Sequence, residues 1–313
     1  MTAVVFTILP VFVVVLAGYA VARAGLISNE GVTGFTNVTF YLFVPALLFR
    51  AMRGVHFDAL DLLPLYTYFG GALLCFLISI AASRRWLGRD IRRATVTALA
   101  ITFSNTVLLG IPLVKLAFGD SGLVILLMIV SLHTLILFAT ATLFLEFGGV
   151  GDGSATRSHW ANVAEAVRNT LIHPVILPII AGLAWGAMRL PLPDVVDAPL
   201  ALLAAASGPC SLVLLGASLA QYGIAEYWRP ALALSALKII VFPIVIWALG
   251  RYVFGLTGVA LAVVTLTAAL PVGANVYLFA QRYQVAQGEI TAAVALSTAA
   301  SVATLALVML YFG

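Results

Sequence analysis

Long apolar runs, interrupted by short polar stretches, organise this chain from end to end. They fall at about 3–22, 32–52, 63–82, 94–118, 122–145, 171–189, 199–222, 230–252, 258–282 and 288–312. Most reach about 20 residues, enough for a helix rising 1.5 Å per residue to cross roughly 30 Å of hydrocarbon, and none alternates as a barrel strand would. The pattern predicts an all-α integral membrane fold of ten transmembrane helices, with backbone polar groups satisfied inside each helix.

The pattern also occurs twice. Leu9-Pro10-Val11 through Ala17-Gly18-Tyr19-Ala20 aligns without gaps on His173-Pro174-Val175 through Ala181-Gly182-Leu183-Ala184. Pro45 then falls on Pro209, Pro64 on Pro230 and Gly122 on Gly288. Residues 1–145 and 171–313 are therefore expected to be two five-helix repeats, joined by the polar cytoplasmic linker 146–170. An odd number of spans per repeat turns the second repeat upside down relative to the first. Inverted halves of this kind are the hallmark of secondary transporters.

Orientation follows from the basic residues of the short loops. With the N-terminus outside, the inner loops hold Arg23, Arg84, Arg85, Arg89, Arg92, Arg93, Arg157, Arg168, Arg229 and Arg282, against Arg50, Arg53, Arg189 and Arg251 outside. Both termini are thus expected outside, with the 146–170 linker inside. The first 24 residues end in Ala22-Arg23-Ala24 but lack a basic segment ahead of the apolar run, so they are read as a retained first span.

Composition agrees with this placement. Hydrophobic residues make up 63% and charged residues 9%, far from the roughly quarter charged make-up of soluble domains. The net charge of +4 comes from arginines at span ends, which topology explains without a nucleic acid partner. Cys75 and Cys210 lie inside apolar runs and read as packing residues, so neither a disulfide nor a metal site is expected, and no cofactor is implied.

Spans four and nine are interrupted at the same place. Span four reads ALAITFSNTVLLGIPLVKLAFG, with Asn105, Gly110 and Pro112 near mid-membrane. Span nine reads AVVTLTAALPVGANVYLFAQRY, with Pro271, Gly273 and Asn275 at the matching depth. Proline removes a backbone donor and glycine permits unwinding, so each span is predicted to divide into two half-helices. Unwound backbone at that depth must be buried in protein or line a cavity. Half-helix N-termini offer free N–H groups and partial positive charge, a seat for a carboxylate, to which Asn105 and Asn275 would add amide donors.

In Asn105-Thr-Val-Leu-Leu-Gly110-Ile-Pro112 and Pro271-Val-Gly-Ala-Asn275-Val-Tyr277, followed by Ala280-Gln-Arg-Tyr283, the chain resembles the auxin efflux carrier family. Its bacterial members include malonate carriers, and its plant members are the PIN auxin exporters. The resemblance implies a scaffold of spans one, two, six and seven and a transport domain of spans three to five and eight to ten. It also implies broken spans that cross at the substrate carboxylate, a homodimer, and elevator-like alternating access. Carried over, the substrate-binding residues are Asn105, Gly110, Pro112, Pro271, Gly273, Asn275 and Tyr277. The substrate would be a small organic anion, such as malonate or an auxin-like acid.

All twelve acidic residues fall in loops or at span edges, so no midplane carboxylate is available for a proton relay or a bound Na⁺. Asp61, at the start of span three, is the nearest candidate for a proton-holding group. Cationic groups do enter the spans. Lys115 follows the span-four break, Lys238 lies about 12 Å into span eight by helical rise, and His133 is near the middle of span five. Cations without a midplane acid suit an anionic substrate. Lys115 could instead snorkel outward, and His133 reads as a neutral hydrogen-bonded histidine. Channels and receptors also use broken helices and remain the alternative. An intramembrane enzyme fits poorly. The Gly149-Val150-Gly151-Asp152 string lies in the linker, Ala205-Ala206-Ser207-Gly208 lacks the first glycine of a serine site, and neither an HExxH motif nor a P-loop is present.

The topology is testable directly. A Ser154→Cys variant in an otherwise cysteine-free background is expected to react with impermeant maleimide from the cytoplasmic side; labelling from the periplasmic side alone would reverse the orientation.

Overall fold

The computed structural model describes residues 2–54, 61–148, 174–221 and 226–312. The linker from residue 149 onward, His173 of the repeat and the Gly149–Asp152 string lie outside them. The described residues form eleven helices: α1 (Thr2–Arg23), α2 (Asn29–Arg53), α3 (Leu63–Leu87), α4 (Ile91–Thr102), α5 (Ile111–Gly148), α6 (Ile176–Ala187), α7 (Asp194–Leu219), α8 (Trp228–Val253), α9 (Gly258–Ala269), α10 (Asn275–Tyr283) and α11 (Gln287–Phe312). Six helical stretches, α2, α3, Thr106–Leu145, α7, α8 and α11, are long and apolar enough to cross a membrane, and shorter apolar helices accompany them.

Local chemistry sets the helix ends. Ser28 opens α2 by accepting from Gly31 N at 3.1 Å, and Asp90 opens α4 by accepting from Arg93 N at 2.8 Å. Pro64 stands in the first turn of α3, where its missing N–H costs nothing. Asp61 caps the same end, its exposed Oδ1 accepting from Leu63 N at 2.9 Å. Gly88 closes α3 in the left-handed conformation at φ 61°. Within α5, Gly119 (φ 63°, ψ −151°) turns the chain, so the second half of span four and span five run on as one element.

Small residues bring four helices together. A Cβ at Gly18 of α1 would lie 2.2 Å from Val213 O of α7, and a Cβ at Gly216 of α7 would lie 1.8 Å from Val15 O of α1. Likewise a Cβ at Gly182 of α6 would lie 2.7 Å from Phe49 O of α2. In lipid, where no hydrophobic drive pushes helices together, such close backbone approach supplies the packing energy. The pairs are reciprocal under the sequence repeat, because Gly18 aligns with Gly182 and Phe49 with Val213. Arg50 and Arg53 add a polar tie, donating to Asp197 at 2.8 and 3.0 Å between α2 and α7.

Two hydrophobic clusters result. The buried residues of one come from α3, α4, α5, α8 to α11 and the segments joining them, with Tyr68, Phe76, Leu99 and Phe242 fully buried and Leu219 of α7 packed at its edge. The other joins α1, α2, α6 and α7 to the near faces of α5, α9 and α11.

The α1–α7 contact predicts a sharp asymmetry among glycines. Gly216→Ala is expected to cost about 3 kcal/mol or more, because a backbone carbonyl cannot move aside as a rotamer can. Gly34→Ala, with nothing within 4 Å of the added carbon, should leave the thermal unfolding of the purified protein nearly unchanged.

Candidate functional site

The predicted breaks are present, and they touch. The residue after α4, Phe103, is extended (φ −88°, ψ 109°), and the residue after α9, Leu270, leaves the helical region as well (φ −58°, ψ 148°). Between them Ser104 faces Val272 in a single antiparallel bridge. Asn105 N donates to Pro271 O at 2.9 Å and Gly273 N donates to Phe103 O at 3.0 Å. A Cβ at Gly273 would lie 2.7 Å from the Phe103 ring, so only glycine allows the two chains this close. Val272 N is met by Ser297 Oγ at 3.1 Å. The chain leaves the first break through a π turn in which Gly110 N donates to Asn105 O at 3.1 Å. A Cβ at Gly110 would lie 2.8 Å from the Leu270 side chain.

A small cavity of about 40 Å³ lies against this bridge, bordered by Ser104, Asn105, Gly273, Asn275, Phe40 of α2 and Ile176 of α6. Asn105 is 5% exposed, and its Nδ2 is buried with no hydrogen-bond partner. Asn275 is half-buried at the first turn of α10. The bridge exchanges Asn105 with Gly273, so the two asparagines border one cavity without being equivalent across it. Pro271 lends its carbonyl to the bridge. Tyr277, half-buried one turn into α10, packs against the larger cluster.

Pro112 lies elsewhere. It borders a second cavity of about 970 Å³ between α1, α2, α5 and α7, together with Pro10, Arg50, Lys115, Gly208 and Pro209. Lys115 is ion-paired with Asp120 across the Gly119 turn. Asp61 belongs to neither cavity and is an exposed helix cap.

Behind the bridge, four buried polar side chains are linked. Lys238 Nζ donates to Ser104 Oγ at 2.7 Å, Ser104 Oγ lies 3.1 Å from Tyr68 OH, and Tyr68 OH lies 3.2 Å from His133 Nε2. His133 is 1% exposed, held between the rings of Tyr68 and Phe103. Sequence reasoning reached Lys238 and His133 but missed Ser104 and Tyr68. The available signal was the position of Ser104, beside Asn105 in the break. It also missed that Glu289, a span-edge acid, is buried and paired with Arg89 and Arg93.

The family described as membrane transport protein matches residues 3–309. Among curated proteins, the chain is 25% identical over 303 residues to one from Rhizobium meliloti (strain 1021) named "Putative malonate transporter", covering 95% of this chain and 92% of the relative. It is 23% identical over 268 residues to one from Methanothermobacter thermautotrophicus (strain Delta H) named "Uncharacterized transporter", covering 85% of this chain and 84% of that protein.

Tyr68 is the hinge of the buried network. Tyr68→Phe removes the hydroxyl between Ser104 and His133 and is expected to destabilise the protein by about 1–3 kcal/mol, the cost of leaving buried polar partners unmet. Tyr66→Phe, at a 60% exposed position one residue from Thr67 on α3, should shift unfolding by no more than about 0.5 kcal/mol.

Proposed function

We propose, from the premise that the chain belongs to the membrane transport protein family of auxin efflux carriers, that it is a secondary carrier for a small organic carboxylate bound where the two breaks meet. The observation that carries this reading is the Asn105 amide. A buried donor left without a partner costs about 1–3 kcal/mol, and this one borders a cavity at the end of two half-helices. The N-terminus of α10 adds partial positive charge at the same place, while Val276 N and Tyr277 N close its first turn on Gly273 O and Ala274 O at 3.0 Å each. Among the described residues, no carboxylate lines that cavity. Malonate is the first substrate to try, given the name borne by the Rhizobium meliloti relative.

Ten spans in two inverted repeats are the proposed architecture, with α4 and the start of α5 forming span four, and α9 and α10 forming span nine. Its support is reciprocity. Gly18 meets Val213 as Gly182 meets Phe49, and the bridge between the breaks exchanges Phe103 with Pro271 and Asn105 with Gly273. These are the contacts a two-fold axis in the membrane plane would generate. The proposed topology puts both termini in the periplasm and the linker in the cytoplasm.

The division into a scaffold (α1, α2, α6 and α7) and a transport domain (α3 to α5 and α8 to α11) is supported by the first hydrophobic cluster, whose buried residues come from the second set and its connecting segments, with Leu219 of α7 touching its edge. The 970 Å³ cavity separates the two bodies on the side of Arg50 and Lys115, the outer side in this topology. Substrate would move as the transport domain slides against the scaffold, and a homodimer would form through the scaffold.

Asn105→Ala is expected to weaken malonate binding by roughly 10- to 150-fold, the equivalent of losing about 1.5–3 kcal/mol of hydrogen bonding to a charged ligand. Wild-type uptake into proteoliposomes should saturate. Normal binding by the variant, with lowered thermal stability, would make Asn105 a tie for broken backbone and move the site elsewhere.

A further inference from the structure

Lys238 is a lysine with no exposed surface and, among the described residues, no carboxylate in an ion pair with it. It lies in the π turn Leu237–Val241 of α8. Its Nζ donates to Ser104 Oγ at 2.7 Å and to Ala268 O at 2.8 Å, and stands 4.5 Å from the centre of the Phe242 ring. An ammonium group carries three donors and no acceptor. A hydroxyl, a carbonyl and an aromatic face surround it, and the last attracts cations in particular.

The carbonyl is one that the break has set free. In an unbroken helix Ala268 O would accept from Val272 N, but Val272 N donates to Ser297 Oγ instead. α9 ends one residue later, at Ala269, and a helix C-terminus concentrates partial negative charge on such carbonyls. In carriers built on discontinuous helices, these half-helix ends and unwound carbonyls are where coupling cations bind. In this chain the seat holds a side chain.

The geometry points to Lys238 as a covalently held replacement for a coupling cation: its ammonium neutralises the C-terminal end of α9, fixes the side chain of Ser104, a residue of the small cavity's lining, from behind the bridge, and makes transport independent of Na⁺. Lys238 is a positioning residue acting through Ser104. Its effect on substrate rests on the anion-carrier reading, whereas the seat itself is defined by α8, α9 and the first break.

Two measurements on the purified full chain separate these. The first is thermal unfolding in sodium chloride against choline chloride at equal ionic strength, with and without n-propylammonium. Wild type should be indifferent. Lys238→Ala should melt lower and recover by about 2 °C or more with Na⁺ or with n-propylammonium, which replaces the atoms from Cγ to Nζ. The second is malonate binding by Lys238→Gln, which keeps two hydrogen-bond donors but loses the charge; affinity should fall at least about tenfold. Wild type stabilised by Na⁺ over choline, Lys238→Ala indifferent to both cations, or Lys238→Gln binding malonate like wild type would each overturn the proposal. If Lys238→Ala does not fold, the wild-type salt comparison and Lys238→Gln decide. If wild type does not bind malonate, the substrate reading fails, and the cation shifts still decide the seat.

Discussion

Two backbone hydrogen bonds, Asn105 N to Pro271 O and Gly273 N to Phe103 O, hold the rest of the arrangement in place. Within an apolar medium each unmet N–H or C=O costs several kcal/mol, so a helix can be opened at mid-depth only if something else answers its backbone. Here each break answers the other. What the bridge leaves over is met by side chains: Ser297 takes Val272 N, and Lys238 takes Ala268 O. Among the described residues, the Asn105 amide is the buried side-chain donor of the crossing left without a partner, and it is the group a ligand would find.

The breaks were legible in the sequence because proline and glycine act locally. Pro271 and Gly273 announce an unwound segment whatever surrounds them, and their counterpart around Asn105 and Gly110 does the same. The helix starts at Ser28, Pro64 and Asp90 rest on equally local chemistry. The buried network was not legible. Tyr68, Ser104, His133 and Lys238 are brought together from four separate spans, and neither a tyrosine nor a serine within an apolar run signals its partner. Glu289 looked interfacial because Arg89 and Arg93, nearly two hundred residues earlier, are invisible from its own neighbourhood. Lys115 could be read as a cation facing substrate or snorkelling outward, but its pairing with Asp120 was hidden because the Gly119 turn that brings them together is a property of the backbone.

The two kinds of packing have different mechanical consequences. Around α1, α2, α6 and α7 the contacts are backbone against backbone through glycine, with Arg50 and Arg53 clamped on Asp197. Such contacts have little room to slide. The surface that meets α5, α9 and α11 is instead mostly aliphatic. In the proposed mechanism, a body held by aliphatic contacts on one side and cross-linked internally by buried hydrogen bonds would move as a unit.

The reciprocal glycine contacts also say something about descent. If the two repeats are inverted copies, then before fusion a single five-helix chain inserted in both orientations would have met itself, with Gly18 of one copy against the equivalent of Val213 in the other, and the reverse. That is an isologous interface, in which every substitution is expressed twice. Fusion releases the constraint. On that reading Phe49 and Val213, equivalent by the repeat, are free to differ, Lys238 has no lysine at the equivalent place, and two identical halves become halves that can specialise.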